Sequence, residues 1–99
     1  MRIVAVTACP TGIAHTYMAA EQLENTGRKL GHQIKVETQG AMGIENRLTA
    51  DDISNAELVI FAADIEIAER QRFAGLPAIE VPAQLAIRDP ASIFAKIGG

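Results

Sequence analysis

The clearest pattern along the chain is a set of short apolar runs separated by amphipathic segments. Two of the runs, 3–6 and 58–62, are continuously apolar, which is typical of strands covered on both faces of a sheet. Segment 34–37 alternates apolar and charged residues, and segment 78–81 is short. The pattern therefore predicts four strands, with the two continuous runs at the centre and the other two at the edges.

The segments between the strands have the periodicity of helices. From Ile13 to Leu30, apolar residues recur at steps of three and four, and Gly31 is suited to end that helix. Residues 39–46 contain glycine and are predicted to form a loop. The remaining helices are predicted at 49–56, 65–73 and 90–97.

Two of these helices carry capping signals. Thr49 is followed three residues later by Asp52, which resembles a capping box. Asp89 precedes Pro90, so we expect an Asp89 N-cap with proline at the first helical position.

The alternation of strands and helices predicts an α/β fold, because right-handed crossovers between strands produce a parallel sheet. With the continuous strands at the centre, the prediction is an open parallel four-stranded sheet of order 2-1-3-4 with helices on both faces. In this order the chain reverses its winding direction between strands 1 and 3. A crevice is therefore expected beyond the carboxyl ends of those two strands.

The charge composition limits the classes of partner. The chain has 99 residues, with 9 Lys and Arg against 12 Asp and Glu, and a net charge of −3. No basic block is present, which argues against a nucleic-acid partner. Arg70 and Arg72 fall on a predicted helix, and we expect them either to steer an anionic partner or to be ordinary surface charges.

The apolar and cysteine content limits the compartment. The longest apolar run, 58–63, is too short to span a bilayer, so no direct membrane insertion is expected, and the N-terminus shows no signal-peptide pattern. One cysteine cannot form an internal disulfide, and no cluster of cysteine and histidine suggests a metal. We therefore expect a cytoplasmic protein with neither a metal nor a cofactor.

The segment from Ala8 to Thr16 carries the strongest chemical signal. It contains the only cysteine, Cys9, between a predicted strand and a predicted helix. Backbone N–H groups in such a loop and the positive end of the helix favour a bound phosphoryl group, and the thiolate is the nucleophilic form of cysteine. We therefore predict a phosphate-binding loop after strand 1, with Cys9 as the residue that carries phosphate. The predicted loop residues are Pro10, Thr11, Gly12, Ile13, Ala14, His15 and Thr16.

Four side chains near this loop are candidates for supporting roles. Thr7 offers a hydroxyl beside the loop. His15 is expected to cover the loop, to hydrogen-bond the phosphoryl group or to steady the loop. Asp64 either caps the helix predicted at 65–73 or makes a polar contact with the loop. Glu37 is expected to point away from the phosphate or to bind a backbone donor, because two anions repel each other.

The motif from Cys9 to Glu21 resembles the phosphorylation-site signature of a known family. This is the IIB component of the fructose-type (fructose–mannitol family) sugar phosphotransferase system of bacteria. Leu76 departs from the family, which often has lysine before the proline at that point. The similarity continues in three shorter motifs, at 36–40, 62–65 and 72–75.

The resemblance implies a phosphoryl relay. A phosphohistidine of the IIA component passes its phosphoryl group to Cys9, and the S-phosphocysteine passes it to a sugar delivered by the membrane IIC component. Fructose or a related hexose is the implied sugar. The resemblance also implies one IIB domain over residues 1–99, held at the inner membrane through the IIC component.

Two other functions are consistent with the same residues. A low-molecular-weight tyrosine phosphatase has cysteine at this point of a similar sheet, with arginine where His15 stands and an Asp-Pro pair such as Asp89–Pro90. The loss of that arginine removes the group that grips phosphate bidentately. The second alternative is a non-catalytic module that binds an anion without needing the thiol of Cys9.

Overall fold

A five-stranded sheet of order β3-β2-β1-β4-β5 forms the centre of the protein, and all of its strands are parallel except β3. The computed structural model describes residues 1–9, 13–40 and 43–97. The strands are β1 (Arg2–Ala8), β2 (Gln33–Gly40), β3 (Gly43–Glu45), β4 (Leu58–Ala63) and β5 (Ala78–Val81). The helices are α1 (Ile13–Lys29), α2 (Ala50–Ser54), α3 (Ala83–Arg88) and α4 (Pro90–Ala95).

The sheet confirms the order of the four predicted strands but adds one strand to them. β3 pairs antiparallel with the end of β2, so the prediction of a loop over 39–46 is wrong and β2 is not an edge strand there. The backbone supports this hairpin, because Gly43 has a φ of +91°, which glycine adopts without strain. The Nδ2 of Asn46 also donates to the carbonyl oxygen of Val36 at 2.8 Å.

Two apolar clusters explain the continuous runs of the central strands. Side chains alternate across β1, so that Ile3 and Ala5 pack beneath α1, α3 and α4, whereas Val4 and Val6 face the opposite side. That opposite side is covered by Ile53 of α2 and by the segment after β4. Helices therefore flank both faces of the sheet, as predicted.

The helix predicted at 65–73 is wrong. The side-chain amide of Gln39 accepts from the N–H of Ala68 at 2.8 Å and donates to the carbonyl oxygen of Ala68 at 3.1 Å. Both backbone groups of Ala68 are thus taken by a side chain, and Glu69 has a left-handed φ of 57°. Only the four residues Arg70–Phe73 form a helical turn, of the 3-10 type.

Two predicted helix ends are confirmed in detail. Gly31 has a φ of +87°, and the N–H of His32 donates to the carbonyl oxygen of Gly27 at 2.9 Å, as expected for a glycine that ends α1. Thr49 and Asp52 form a complete capping box, in which each side chain accepts from the other residue's backbone N–H.

The C-terminal helices differ from the prediction in one respect. α4 begins at Pro90 as expected, but the side chain of Asp89 makes no capping hydrogen bond. The N–H of Asp89 instead donates to the carbonyl oxygen of Leu85 at 2.8 Å, which ends the unpredicted helix α3. Asp89 therefore lies between two consecutive helices rather than between a loop and one helix.

Candidate functional site

Cys9 lies at the carboxyl end of β1, the central strand of the sheet. It is only 8% exposed, and α1 begins at Ile13. The N–H of Asp64 donates to the carbonyl oxygen of Ala8 at 3.0 Å, which brings the end of β4 beside the cysteine. The predicted loop residues Pro10, Thr11 and Gly12 lie outside the described residues, as does the side chain of Ile13.

A cavity of about 390 Å³ opens beside Cys9. This volume falls in the range of small-molecule sites. Three of the predicted site residues, Cys9, His15 and Asp64, border it together, whereas Asp89 is not among the described residues that line it. The complete lining, which we call the Cys9 cavity, is Cys9, His15, Met18, Asp64, Ala83, Gln84, Ile87 and Arg88.

Thr7 and Thr16 join β1 to the first part of α1. The hydroxyl of Thr7 donates to the carbonyl oxygen of Thr16 at 3.1 Å, and both residues are buried. The hydroxyl of Thr16 has no hydrogen-bond partner among the residues that the structure describes. Neither threonine lines the Cys9 cavity. The Thr7 side chain therefore joins the strand to the helix. Ala14 lies exposed in the first turn of that helix.

Asp64 caps a different helix from the one predicted. Its Oδ1 accepts from the N–H of Ala83, the first residue of α3, at 3.2 Å. Helix α3 is therefore fixed to the end of β4 by a side chain nineteen positions earlier in the sequence. This bond holds α3 at the cavity. Because the capping side chain lies far from α3 in the sequence, no local capping signal predicts this helix.

Glu37 lies in the second half of β2, and its carboxylate is completely buried. Arg72 donates to both of its oxygens, at 3.0 and 2.8 Å. The Nε2 of Gln39 donates at 2.9 Å, and the N–H of Leu48 donates at 2.9 Å. The prediction that Glu37 binds a backbone donor is thus confirmed, and we call the three side chains of Glu37, Gln39 and Arg72 the Glu37 cluster.

The hydrogen bonds of the Glu37 cluster determine the charge states of Glu37 and Arg72. Burial on its own raises the pKa of Glu37, but hydrogen bonds from Arg72, Gln39 and Leu48 outweigh it and lower the pKa below its usual value. The hydrogen bond to Glu37 likewise raises the pKa of Arg72. The pair is therefore ionised at neutral pH.

The structure corrects the expectation for Arg72, whereas Arg70 is a surface charge as expected. The side chain of Arg72 is only 16% exposed and is held by Glu37, so it is not a free surface charge. Arg70 pairs with the exposed Glu80 at 2.8 Å and lies over the ring of Phe61. Neither arginine lines the Cys9 cavity.

The residues that sequence reasoning missed come from α1 and α3. Met18 lies two residues after the predicted loop, on the exposed side of α1. Gln84, Ile87 and Arg88 come from α3, whose six residues are too few for a clear periodic signal. Spacings of four between Ala83 and Ile87, and between Gln84 and Arg88, place these four residues on one face once the helix is known.

Residues 1–9, 13–40 and 43–97 contain neither a membrane-spanning helix nor a metal-binding cluster. No helix in these ranges is both long and apolar enough to cross a membrane. No group of three or more His, Cys, Asp or Glu side chains in the same ranges is arranged to hold a metal ion.

Residues 4–96 match the family model described as the lactose/cellobiose-specific IIB subunit of the PTS system. A 2-O-alpha-mannosyl-D-glycerate-specific EIIABC component of Escherichia coli is 62% identical over 86 residues, covering 87% of this chain and 13% of that protein. A fructose-like EIIB component 2 of Escherichia coli is 49% identical over 96 residues, covering 97% of this chain and 91% of that protein. The chain thus spans a small part of the first relative and nearly all of the second.

Solved structures agree with this result. A crystal structure of a domain from a fructose-specific IIABC component of Borrelia burgdorferi has a TM-score of 0.89 at 50% identity, covering 95% of this chain and 89% of that one. An arsenate reductase has a TM-score of 0.55 at 13% identity, covering 99% of this chain and 100% of that one. The second match shows a shared fold alone.

Proposed function

Because the chain belongs to the IIB family of the sugar phosphotransferase system, we propose that Cys9 is its phosphoryl-carrying residue. The family match confirms the resemblance of the Cys9–Glu21 motif, and a IIB component is a phosphotransferase of that system. The observation that carries the proposal is the position of the only cysteine. Cys9 lies at the carboxyl end of the central strand and borders an open cavity.

In the first transfer, the thiolate sulfur of Cys9 attacks the phosphorus of a phosphohistidine on a IIA component. An S–P bond forms, the P–N bond breaks, and the departing imidazole takes up a proton. Backbone N–H groups of the predicted loop, from Thr11 to Ala14, would hold the phosphoryl oxygens, and Pro10 would contribute no donor. The cavity beside Cys9 leaves room for the incoming group.

In the second transfer, a hydroxyl oxygen of the sugar attacks the same phosphorus. An O–P bond forms, the S–P bond breaks, and the electron pair returns to the sulfur of Cys9 as thiolate. The hydroxyl proton passes to solvent or to a group beside the sugar. The thiolate is thus regenerated without any net change in the chain, as a relay requires.

The partners follow from the relatives in which IIB is part of a longer protein. Proteins named EIIABC components contain the matching segment as a fraction of their length, 13% in one and 15% in another. We infer that residues 1–99 form one IIB domain that receives phosphate from a IIA component and serves a membrane IIC component. The domain would then work at the cytoplasmic side of the inner membrane.

The sugar is proposed to be fructose or a related hexose. Several relatives over nearly the whole chain are named fructose-like or fructose-specific, at 48% to 49% identity. A second candidate is 2-O-alpha-mannosyl-D-glycerate, which is favoured by the 62% identity to the component named for it. Membrane vesicles containing the IIC part of either relative, supplied with the phosphorylated chain, would distinguish the two by which labelled sugar becomes phosphorylated.

The two alternative functions receive less support from the site. His15 borders the cavity where the phosphatase signature has arginine, and Asp89 does not line it. A module that only binds an anion would not require a thiol at Cys9. Both alternatives remain outcomes of the following test.

The test is the intact mass of the chain after incubation with phosphoenolpyruvate, Enzyme I, HPr and a fructose-type IIA component. The wild type should gain one phosphoryl group, and Cys9→Ser should gain none. The matched control is the double variant Cys9→Ser with Ser54→Cys, which restores one thiol on the exposed surface of α2. It should also remain unmodified.

Phosphorylation of Cys9→Ser to the wild-type level would contradict the proposal. So would an unmodified wild type beside a visibly phosphorylated IIA component that is shown to serve another fructose-type IIB. Hydrolysis of an aryl phosphate that depends on Cys9 would favour the phosphatase instead.

A further inference from the structure

Arg88 brings a positive charge to the Cys9 cavity from α3. It is the last residue of α3, and it lines the cavity together with Cys9, His15 and Asp64. Asp64 anchors the other end of α3 through the N–H of Ala83. The face of α3 that carries Arg88 is therefore fixed toward the cysteine.

Among the described residues, Arg88 combines the lack of a carboxylate partner with a position at the Cys9 cavity. Arg88 has no carboxylate within ion-pair distance in the part of the chain that the structure describes. Arg2, Lys29 and Lys96 share this property, but they do not line the Cys9 cavity. The cations that do have a carboxylate partner are Arg28, Lys35, Arg47, Arg70 and Arg72.

The charges that face the cavity leave Arg88 available to an anion. Asp64 is the carboxylate among the described lining residues, and one of its oxygens is engaged by Ala83. His15 is the other titratable side chain there besides Cys9. A phosphoryl group on Cys9 would add a charge of about −1.5 to −2 at neutral pH to this space.

We propose that Arg88 is a binding residue for the phosphoryl group on Cys9, which it contacts through its guanidinium group. This inference rests on the proposed function. A guanidinium offers two parallel N–H donors to phosphate oxygens, and such charge-assisted bonds are among the stronger hydrogen bonds in proteins. His15 occupies the position of the phosphatase arginine, so the cation of this site comes from α3 instead of from the loop.

The proposal predicts a shift in how phosphate divides between the two proteins. The wild type and its variants are mixed with a fixed ratio of phosphorylated to unphosphorylated IIA component, and the fraction of modified Cys9 is measured by intact mass at equilibrium. Arg88→Gln should lower the ratio of phosphorylated to free chain by about tenfold. Arg88→Lys keeps the charge without the fork and should fall between the two.

Lys96→Gln is the matched control, because it removes a cation that has no carboxylate partner and lies outside the cavity lining. It should leave the ratio unchanged. A second readout is the ³¹P chemical shift of the phosphocysteine as a function of pH. The titration midpoint should be higher in Arg88→Gln than in wild type, since a nearby cation favours the dianion.

The outcomes separate this inference from the proposed function. If wild-type Cys9 is phosphorylated but Arg88→Gln behaves as Lys96→Gln does in both readouts, the role of Arg88 is overturned and the carrier function stands. If the wild type accepts no phosphoryl group from a competent IIA component, both fail. A tenfold loss with an unchanged ³¹P titration would also overturn the contact, because a group that touches the phosphate must alter its titration.

Discussion

The Glu37 cluster and the Cys9 cavity lie toward the carboxyl ends of the neighbouring strands β2 and β1, but they differ in how charge is compensated. In the cluster, a fully buried carboxylate receives hydrogen bonds from Arg72, Gln39 and Leu48. In the cavity, Arg88 has no carboxylate partner among the described residues. The buried charge of the first region is therefore compensated within the fold, whereas the second region borders a cavity with a cation that has no such partner.

This difference separates residues that stabilise the fold from residues available for chemistry. A buried ion pair is most costly when one partner is removed, because the other charge is left without compensation. An exposed cation without a partner contributes little to stability, so its position beside Cys9 calls for a different explanation. Loss of Arg72 should therefore lower the stability of the fold. Loss of Arg88 should weaken binding of the phosphoryl group with little effect on stability.

Arg72→Ala should have the largest effect on stability. It leaves Glu37 buried without its main donor, and the free energy of unfolding should fall by about 3–5 kcal/mol. Urea unfolding followed by circular dichroism measures the loss. Arg70→Ala is the matched control, because Arg70 pairs with the exposed Glu80 and should lose only about 0–1 kcal/mol. Equal losses in the two variants would show that burial of the pair does not matter.

The pH dependence of stability tests the same cluster. The pKa of Glu37 is lower in the folded protein than its usual value of 4.5, because hydrogen bonds from Arg72, Gln39 and Leu48 outweigh burial. The charge of Glu37 therefore stabilises the fold above pH 4.5, and this contribution is lost as the pH falls through the folded pKa.

Glu37→Gln isolates this contribution. The difference in unfolding free energy between wild type and Glu37→Gln should be largest near pH 7 and should shrink as the pH falls below 4.5. Urea midpoints at pH 7, 5, 4 and 3 would measure it. A difference that stays constant, or grows in acid, would contradict the assigned shift.

Gln39→Leu should have the next effect. It removes the donor to Glu37 and both hydrogen bonds to the backbone of Ala68, so the unfolding free energy should fall by about 1–3 kcal/mol. Hydrogen exchange of the Ala68 N–H should accelerate with it. Gln33→Leu, at the exposed start of the same strand, serves as control and should change neither quantity.

The contact between Gln39 and the backbone of Ala68 also shows what could not be predicted from the sequence. Strand order followed from apolar patterning, because β1 and β4 need apolar side chains on both faces and β5 does not. The helix expected at 65–73 satisfies the local periodicity, yet Gln39 takes the backbone groups of Ala68 from 29 positions away. Such a long-range side-chain contact leaves no periodic signal in either segment.

The candidate site likewise contains some residues that could be predicted from the sequence and others that could not. Cys9 and His15 could be predicted because a strand, a loop and a helix follow one another locally, and their meeting at one cavity agrees with that reasoning. Arg88 could not be predicted as a site residue, because α3 is short. The side chain that caps α3 belongs to Asp64, which precedes β5 in the sequence. What was predictable follows from local pattern and from strand order, which also brought Asp64 to the cavity, and what was not depends on side-chain contacts between distant segments.

Thr7→Val tests the hydrogen bond that joins β1 to α1. Valine has nearly the shape of threonine but leaves the carbonyl oxygen of Thr16 without its buried donor, so about 1 kcal/mol should be lost. Thr7→Ser keeps the hydroxyl and is the control for that hydrogen bond. Thermal unfolding measures both, and a fully stable Thr7→Val would show that the bond does not hold α1 against β1.

The smallest effect is expected at the opposite end of β2, where Lys35 pairs with Asp52 at 2.7 Å on the surface. The hydrogen bond from Lys35, together with that from the N–H of Thr49, lowers the pKa of Asp52 from 3.8 to about 2.

Asp52→Asn should lower the free energy of unfolding by less than about 1 kcal/mol at pH 7, because exposed pairs contribute little. Since the folded pKa is the lower one, even this advantage should disappear between pH 3.8 and about 2. Urea midpoints at pH 7 and 2 decide the matter, and a loss as large as that of Arg72→Ala would mean that burial is not what distinguishes the Glu37 cluster.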